Sequence, residues 1–382
     1  MTRDMAYKVL LMIPTQRNGG IQTWARNYLK TFKQDRFVFT HIETAPKRSK
    51  NSGLYNRIMT GLSSMFRQLS ELKTLCKHNR YDILHRTTSG SLGALADWVI
   101  GVYCHHHHMR NILHCHYGKI VETLQGKGLI TWLTKKSMQQ YDQIWVLDKT
   151  TQQYLVNSKD FKANIFLTPN FIDVDTNIQI SPKQYINVAF IANLYVEKGI
   201  LDLIDAIKQT DSHIKLHIIG DGDEYVKRQI REHAGELYGE RIKSYGMLPH
   251  GKAMTFMSQA DILALPTYYP AEAFPISILE AMSMGKLVIS TSKGAIPDML
   301  TDENGKKCGI IIPSKNPQKL AEAIQWAYDN NDKADELCAL AYKRVYEYYR
   351  TEKVYDIYRN YYLRIMKKLT IHISPNSKKD AK

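Results

Sequence analysis

The chain alternates short apolar runs with amphipathic stretches. Val9 to Ile13 is apolar; Pro14, the polar Thr15 to Asn18 and the pair Gly19-Gly20 follow. Apolar residues then recur at Ile21, Trp24, Ala25, Tyr28, Leu29 and Phe32, a helical spacing. Strand, glycine loop and helix in that order predict the opening unit of a parallel α/β domain. Further short strands are predicted at Phe37 to Ile42, Ile83–Leu84, Ile112–Leu113, Ile144 to Leu147 and Ile165 to Leu167, with helical stretches between them, so the first half reads as doubly wound. The run Ser91 to Cys104 is too short to span a membrane and contains Asp97, so it reads as a buried helix.

The second half starts the pattern again. Val188 to Ile191 is a predicted strand, Asn193 to Gly199 a loop and Ile200 to Lys208 a helix. Lys215 to Ile219 is a strand that ends in the turn Gly220-Asp221-Gly222, and Ile262 to Leu265 and Leu287 to Ser290 are two more. The polar stretch Asp173 to Tyr185 reads as an interdomain linker. A last helix is predicted from about Glu352 to Lys368, with Thr351 as its N-cap and interleaved Tyr residues forming a packing face. Residues 374–382 read as a disordered tail.

Length and charge refine this picture. A chain of 382 residues suggests about two domains. Residues 1–186 carry 25 basic and 12 acidic side chains, and residues 187–382 carry 27 and 25. A basic half joined to a nearly neutral half points to an anionic partner for the first domain. The excess gathers around Lys47, Arg48 and Lys50, ahead of a stretch with apolar residues at Leu54, Ile58, Met59, Leu62, Met65, Phe66, Leu69 and Leu72, and with Arg57, Arg67 and Lys73. Such a helix either lies on an anionic membrane or packs on its own sheet. No nucleic-acid recognition motif accompanies the charge. The five cysteines are odd in number and lack a CxxC, which argues against a disulfide or zinc framework and for reduced thiols in a cytosol. Met1 to Ile13 lacks the apolar core of a signal peptide.

The segment richest in chemistry is Glu272-Ala273-Phe274-Pro275-Ile276-Ser277-Ile278-Leu279-Glu280, continuing to Gly285. Pro275 suits the first turn of a helix and Gly285 its end. The free amides at such a helix start, together with its dipole, can hold a phosphate. Glu272 before the helix and Glu280 in its second turn can each accept hydrogen bonds from sugar hydroxyls. The combination fits a nucleotide sugar.

EAFPISILEAMSMGKLVIST resembles the EX7E signature of the retaining glycosyltransferases of family 4. The resemblance extends through Gly19-Gly20, Thr168-Pro169-Asn170 with Ile172-Asp173, Phe190 to Gly199, Ile219 to Gly222 and Ala295 to Asp298, all in the family's order. It implies the GT-B fold: two Rossmann-like, doubly wound α/β domains facing across a cleft. The expected division is 1–172 for the acceptor side, 173–351 for the nucleotide-sugar side, and 352–370 as a helix returning to the first domain.

The resemblance also implies roles. Glu272 contacts the donor sugar, Glu280 the ribose, and Lys198 the diphosphate. The backbone around Phe274, Pro275 and Ile276 meets sugar and phosphate, and Gly19 and Gly20 lie against the donor. His116, in the strand-end run His114-Cys115-His116, lies near the reacting sugar, with His114 and His85 as lesser candidates. Asn193 stands where the family carries a second cation, an arginine, so the diphosphate relies on Lys198, the helix dipole, the Gly20 amide or Arg17. Residues Gly246 to His250 are expected near the base. His105 to His108 cannot converge on one ion from regular structure, and Asp221-Gly222-Asp223 and Asp173-Val174-Asp175 match DxD only formally, so neither metal nor cofactor is expected.

The function so implied is transfer of a hexosyl group from a nucleoside diphosphate sugar, with a UDP-sugar favoured, to a lipid-linked or polysaccharide acceptor in bacterial surface polysaccharide assembly. The setting is the cytoplasm, at the inner membrane face, with Lys47, Arg48, Lys50 and Arg57 as the membrane or acceptor surface. A GDP-mannose donor, a nucleotide-sugar epimerase of the same fold and a non-catalytic donor-binding partner of another transferase stay open.

Overall fold

The computed structural model of the chain describes residues 6–16, 19–32, 36–46, 54–91, 93–175 and 185–372. Two units result: residues 1–169 with 354–382, and residues 170–353. Asn170 to Ile172 thus belong to the second unit. Asp173 accepts a hydrogen bond from the Thr351 hydroxyl at 2.6 Å within that unit. The tail 374–382 lies outside the described residues.

The first unit runs β1 (Tyr7–Ile13), α1 (Gly20–Thr31), β2 (Phe37–Glu43), α2 (Leu54–His78), β3 (Ile83–Thr88), α3 (Gly93–His106), β4 (Arg110–Cys115), α4 (Ile120–Gln125), α5 (Leu129–Met138), β5 (Gln143–Val146), α6 (Lys149–Asn157) and β6 (Asn164–Leu167). Its six strands are all parallel, in the order β2-β1-β3-β4-β5-β6. Right-handed crossovers fix which face each helix covers. The chain steps one way from β1 to β2 and the other way from β2 onward, so α1 lies on one face while α2, α3, α5 and α6 lie on the opposite one.

Alternation along the strands matches. Leu10, Met12 and Leu84 pack with Leu72 of α2 and Ile100 and Cys104 of α3. On the other face His85, His114 and Trp145 pack on one another, and His85 meets Tyr28 of α1 edge-on. The face toward α2 and α3 also holds a buried ion pair: Arg86 donates to Asp97, whose second oxygen accepts from Thr88. Asp97 is therefore the polar residue that a buried helix can carry, because both its oxygens are used.

The second unit runs β7 (Asn187–Ile191), a 3₁₀ turn Val196–Lys198, α7 (Ile200–Ile207), β8 (Lys215–Ile219), α8 (Glu224–Ala234), β9 (Ile242–Ser244), α9 (His250–Gln259), β10 (Ile262–Leu265), α10 (Ile276–Ser283), β11 (Leu287–Thr291), α11 (Ile296–Met299), β12 (Ile310–Ile312), α12 (Pro317–Asp329) and α13 (Asn331–Arg344). Its six strands are also parallel, in the order β12-β11-β10-β7-β8-β9.

A last helix, α14 (Thr351–His372), straddles the boundary between the units. Val354, Tyr358, Tyr362, Ile365 and Met366 are its buried stripe. The Tyr358 hydroxyl donates to the Pro169 carbonyl at 3.0 Å, and Tyr362 reaches Tyr28. The tyrosines are a packing face, as their spacing predicts. Thr351 departs from expectation: it is the first helical residue, and its hydroxyl donates to Asp173 instead of receiving the helix amides.

The helix α2 departs further. Met65 and Leu72 are buried, but Ile58, Met59 and Phe66 are exposed. Only its C-terminal half packs on the sheet. No helix of the described residues is long and apolar enough to cross a membrane.

Candidate active site

In the second unit, the loop after β10 leads into α10 through Glu272 and Pro275. Pro275 takes the N-cap position with extended backbone, one residue before the first helical turn. The Ile278 amide donates to the Pro275 carbonyl at 3.2 Å, and the Ile276 and Ser277 amides ahead of it point out of the helix start. Glu280 follows in the second turn. Both glutamates are largely buried. The Phe274 carbonyl accepts from Asn170 Nδ2 at 2.9 Å, which ties the loop to the start of the unit.

Lys198 closes the 3₁₀ turn after β7. Its Nζ donates to Glu272 Oε2 at 2.6 Å, and it lies 5.0 Å from the centre of the Tyr269 ring. The pair is mostly shielded, with 14% and 8% of the two side chains exposed. Two glycines make this approach possible. Gly199 has φ 82°, and a Cβ there would sit 2.3 Å from the Pro266 carbonyl oxygen. Gly294 has φ 51°, and a Cβ there would meet the Ala273 and Glu272 carbonyl oxygens at 2.4 and 2.5 Å. Gly294 thus lets the loop after β11 close over the Glu272 turn, where the Ala295 amide donates to the Ala273 carbonyl at 2.7 Å. A glycine in Lys293-Gly294-Ala295 is the only sequence signal of this contact.

Glu280 has a partner that the motif alone does not reveal. His250, the first residue of α9, places Nε2 2.8 Å from Glu280 Oε1. The pair joins residues thirty apart through the packing of α9 on α10. The Asn193 carbonyl accepts from the Tyr195 amide at 2.9 Å in the loop after β7. Asp221 pairs with Lys227, and Asp223 caps α8 through the Val226 amide, so both carboxylates of that turn have structural partners.

In the first unit, Gly19 precedes α1 and Gly20 is its first residue, so the Gly20 amide belongs to a helix start. Arg17 lies outside the described residues. His116 follows β4. Its ring lies 4.1 Å from that of His114 and 4.5 Å from that of Trp24, and its buried Nε2 has no hydrogen-bond partner. Burial pushes its pKa down to about 3. The neutral imidazole thus keeps one buried nitrogen without a hydrogen-bond partner.

His114 and His85 have no such freedom, which corrects their candidacy as ligand contacts. Both are fully buried. Tyr28, Tyr362, His85, His114 and Thr168 form one hydrogen-bonded chain. The Thr168 hydroxyl donates to the Val146 carbonyl, so its oxygen accepts from His114 Nε2–H. His114 Nδ1 then accepts from His85 Nε2–H, His85 Nδ1 accepts from Tyr362, and Tyr362 accepts from Tyr28. Every proton in the chain is thereby placed. Burial holds His85 down to about 3 and His114 well below its ordinary value.

Lys47, Arg48 and Lys50, expected to form a membrane or acceptor surface, lie outside the described residues, as does the Arg57 side chain.

Residues 172–344, within the second unit, match the family model of glycosyl transferases group 1. The whole chain has the GT-B fold. Its structure superposes on HepE of Anabaena, solved with UDP, at a TM-score of 0.69 and 16% identity, covering 95% of this chain and 99% of that one. An uncharacterized glycosyltransferase of Methanocaldococcus jannaschii is 24% identical over 82% of this chain and 86% of its own. Other relatives match in part. One component of the phosphatidylinositol N-acetylglucosaminyltransferase of Arabidopsis thaliana is 25% identical over 43% of this chain and 36% of its own. A lipopolysaccharide 1,2-N-acetylglucosaminetransferase of Salmonella typhimurium is 30% identical over 37% and 42%. The chain thus spans less than half the length of these last two.

Proposed function

We propose that this protein transfers a hexosyl group from a nucleoside diphosphate sugar, a UDP-sugar, to a lipid-linked or polysaccharide acceptor with retention of configuration. The observation that carries the reading is the shielded Lys198–Glu272 pair at the start of α10. A cation and a carboxylate meet there beside a row of helix amides. In this reading the diphosphate lies on the α10 amides and Lys198, the hexose is read by Glu272, and the ribose by Glu280.

Departure of the diphosphate is the step that needs stabilising, because negative charge builds on its oxygens as the glycosidic bond breaks. Lys198 and the helix start supply fixed positive potential for it. No carboxylate is assigned as a nucleophile. The acceptor oxygen attacks on the face that the diphosphate leaves, which passes its proton to the departing phosphate oxygen and keeps the configuration. Metal is not required, since the charge is met by Lys198 and amides.

The donor is supported by HepE having been solved with UDP. The acceptor class is supported by the names of the partial relatives, one acting on phosphatidylinositol and one on lipopolysaccharide. Asn193 favours a second reading, a donor-binding partner that does not catalyse, because an uncharged amide stands where the resemblance places the second cation.

A thermal-shift panel of UDP-, GDP- and ADP-sugars without added metal tests the proposal. Selective stabilisation by UDP-sugars is expected. Stabilisation by none of them overturns it. Stabilisation without transfer or donor hydrolysis moves the assignment to the non-catalytic partner.

A further inference from the structure

The loops after β7 and β10 are stitched together through their backbones. The Tyr268 amide donates to the Glu197 carbonyl at 2.7 Å, and the Thr267 hydroxyl donates to the same oxygen at 3.4 Å. The Tyr269 amide donates to Thr267 Oγ1 at 3.1 Å, and the Glu272 amide to the Tyr269 carbonyl at 3.0 Å. Lys198 and Tyr269 stand one residue beyond the Glu197–Tyr268 contact on their loops. The stitch therefore brings their side chains together, and Lys198 Nζ lies over the Tyr269 ring, 5.0 Å from its centre. That is within the reach of an attraction between a cation and a ring face.

The ring is itself held. Tyr195 stacks on it, with centres 5.7 Å apart and planes 19° from parallel. Burial pushes the Tyr269 hydroxyl above its ordinary value, and Tyr195 and Glu272 add to the shift. The ring is therefore neutral at neutral pH, and what Lys198 meets is the negative face of a π system rather than a phenolate.

Such a face does what Glu272 cannot. Lys198 Nζ donates to Glu272 Oε2 at 2.6 Å. In the proposed chemistry the same ammonium meets the diphosphate while Glu272 reads the hexose, so this hydrogen bond is exchanged when the donor binds. A ring face attracts the ammonium as a charge and ties up no N–H in a fixed direction. The ammonium can turn its protons from the carboxylate to phosphate oxygens without leaving the ring. Asn193 sharpens the need, because an uncharged amide stands where the resemblance places a second cation. Charge on the diphosphate then depends on where one ammonium sits.

We propose that Tyr269, with Tyr195 stacked on it, is the positioning residue of Lys198: its ring face keeps the ammonium at the diphosphate site while Lys198 exchanges Glu272 for phosphate oxygens. The inference rests on the donor chemistry proposed above and adds to it a residue that lies outside the Glu272–Glu280 motif.

The test reads binding of UDP to the full chain by titration calorimetry, with uridine as the ligand that lacks the diphosphate. Tyr269→Leu keeps an apolar side chain but removes the ring face. It should weaken UDP about tenfold and leave uridine within about twofold. Tyr269→Phe keeps the face without the hydroxyl and should recover most of the lost affinity. In a Lys198→Ala background, Tyr269→Leu should cost UDP nothing further, because no ammonium is left to hold. Tyr195→Ala tests the same point from the half-exposed stacking partner, should Tyr269→Leu not fold, and a loss of about threefold for UDP alone is expected. Tyr268→Leu is the control for a loosened loop: it removes the neighbouring ring, which lies under Lys315 at 4.8 Å, and should not separate UDP from uridine. Equal losses of UDP and uridine in Tyr269→Leu, no rescue by Phe, or a full further loss on top of Lys198→Ala overturns the proposal. So does a UDP-selective loss in Tyr268→Leu. Weakened UDP binding in Lys198→Ala with undiminished binding in Tyr269→Leu overturns this inference alone. A wild-type protein that binds no UDP, or a Lys198→Ala variant that binds it as tightly as wild type, overturns the donor chemistry and this inference with it.

Discussion

Lys198 Nζ and Glu272 Oε2 lie 2.6 Å apart although seventy-four residues separate them. The contact joins the loop after β7 to the loop before α10, which leave adjacent strands of the second sheet. Removing Lys198 takes the cation from the proposed diphosphate site and leaves the Glu272 carboxylate shielded and unpaired. Lys198→Ala is expected to lower kcat/KM by about 10²–10³. Far-UV circular dichroism should show the fold retained. Glu272→Ala should lose transfer as well. Near-full activity in both variants would remove this pair from the mechanism.

His250 acts on Glu280. Its Nε2 holds one carboxylate oxygen at 2.8 Å and leaves the other for the proposed ribose contact. His250→Ala should free the Glu280 side chain to rotate. The KM for donor is expected to rise about tenfold, the worth of one charge-assisted hydrogen bond, while kcat changes little. Initial rates across donor concentrations separate the two. A fall in kcat at constant KM would show that His250 acts elsewhere.

Gly294 is a packing requirement of the Glu272 turn. Its φ of 51° is strained for any other residue, and a methyl group would run into two carbonyl oxygens. Gly294→Ala should cost about 2–4 kcal/mol, because strain and overlap add. Urea unfolding should show the loss and thermal-shift titration a weaker donor response. Wild-type values for both would mean the loop relaxes freely.

Acid should destabilise the first unit. His85 and His116 are held down to about 3 by burial, against an ordinary value of 6.5, and His114 moves the same way. Above 6.5 these rings are neutral whether folded or not, and their pKa shifts leave stability unchanged. As pH falls below 6.5 the unfolded chain takes up protons that the folded chain refuses. Stability then drops by about 1.4 kcal/mol per pH unit for each ring until the folded pKa is reached. Urea titrations followed by Trp emission, at pH 7 and in steps down to about pH 5, should give a steadily falling unfolding free energy. A flat profile would mean that the rings protonate in place.

How far the chain could be read varies with the range of the interaction. The predicted strands at Val9 to Ile13, Lys215 to Ile219 and Ile262 to Leu265 match the structure closely, since apolar runs bounded by turn residues are local signals. Pro275 and Gly285 bracket α10 for the same reason: each acts through its own backbone angle. The apolar period of α2 is legible too, but period alone says which residues share a face and not whether anything covers it.

What the sequence by itself determined is the set of local elements and the spacing of Glu272 and Glu280 around one helix start. Backbone geometry over a few residues decides those. What only the tertiary structure decided is who meets whom across the sheets: Lys198 with Glu272, His250 with Glu280, Gly294 under the Glu272 turn, and Tyr28 with Tyr362 across 334 residues. Those meetings follow from strand order. A parallel strand can be inserted beside any neighbour by a helical crossover, and the crossover leaves no mark of its destination in the residues that make it.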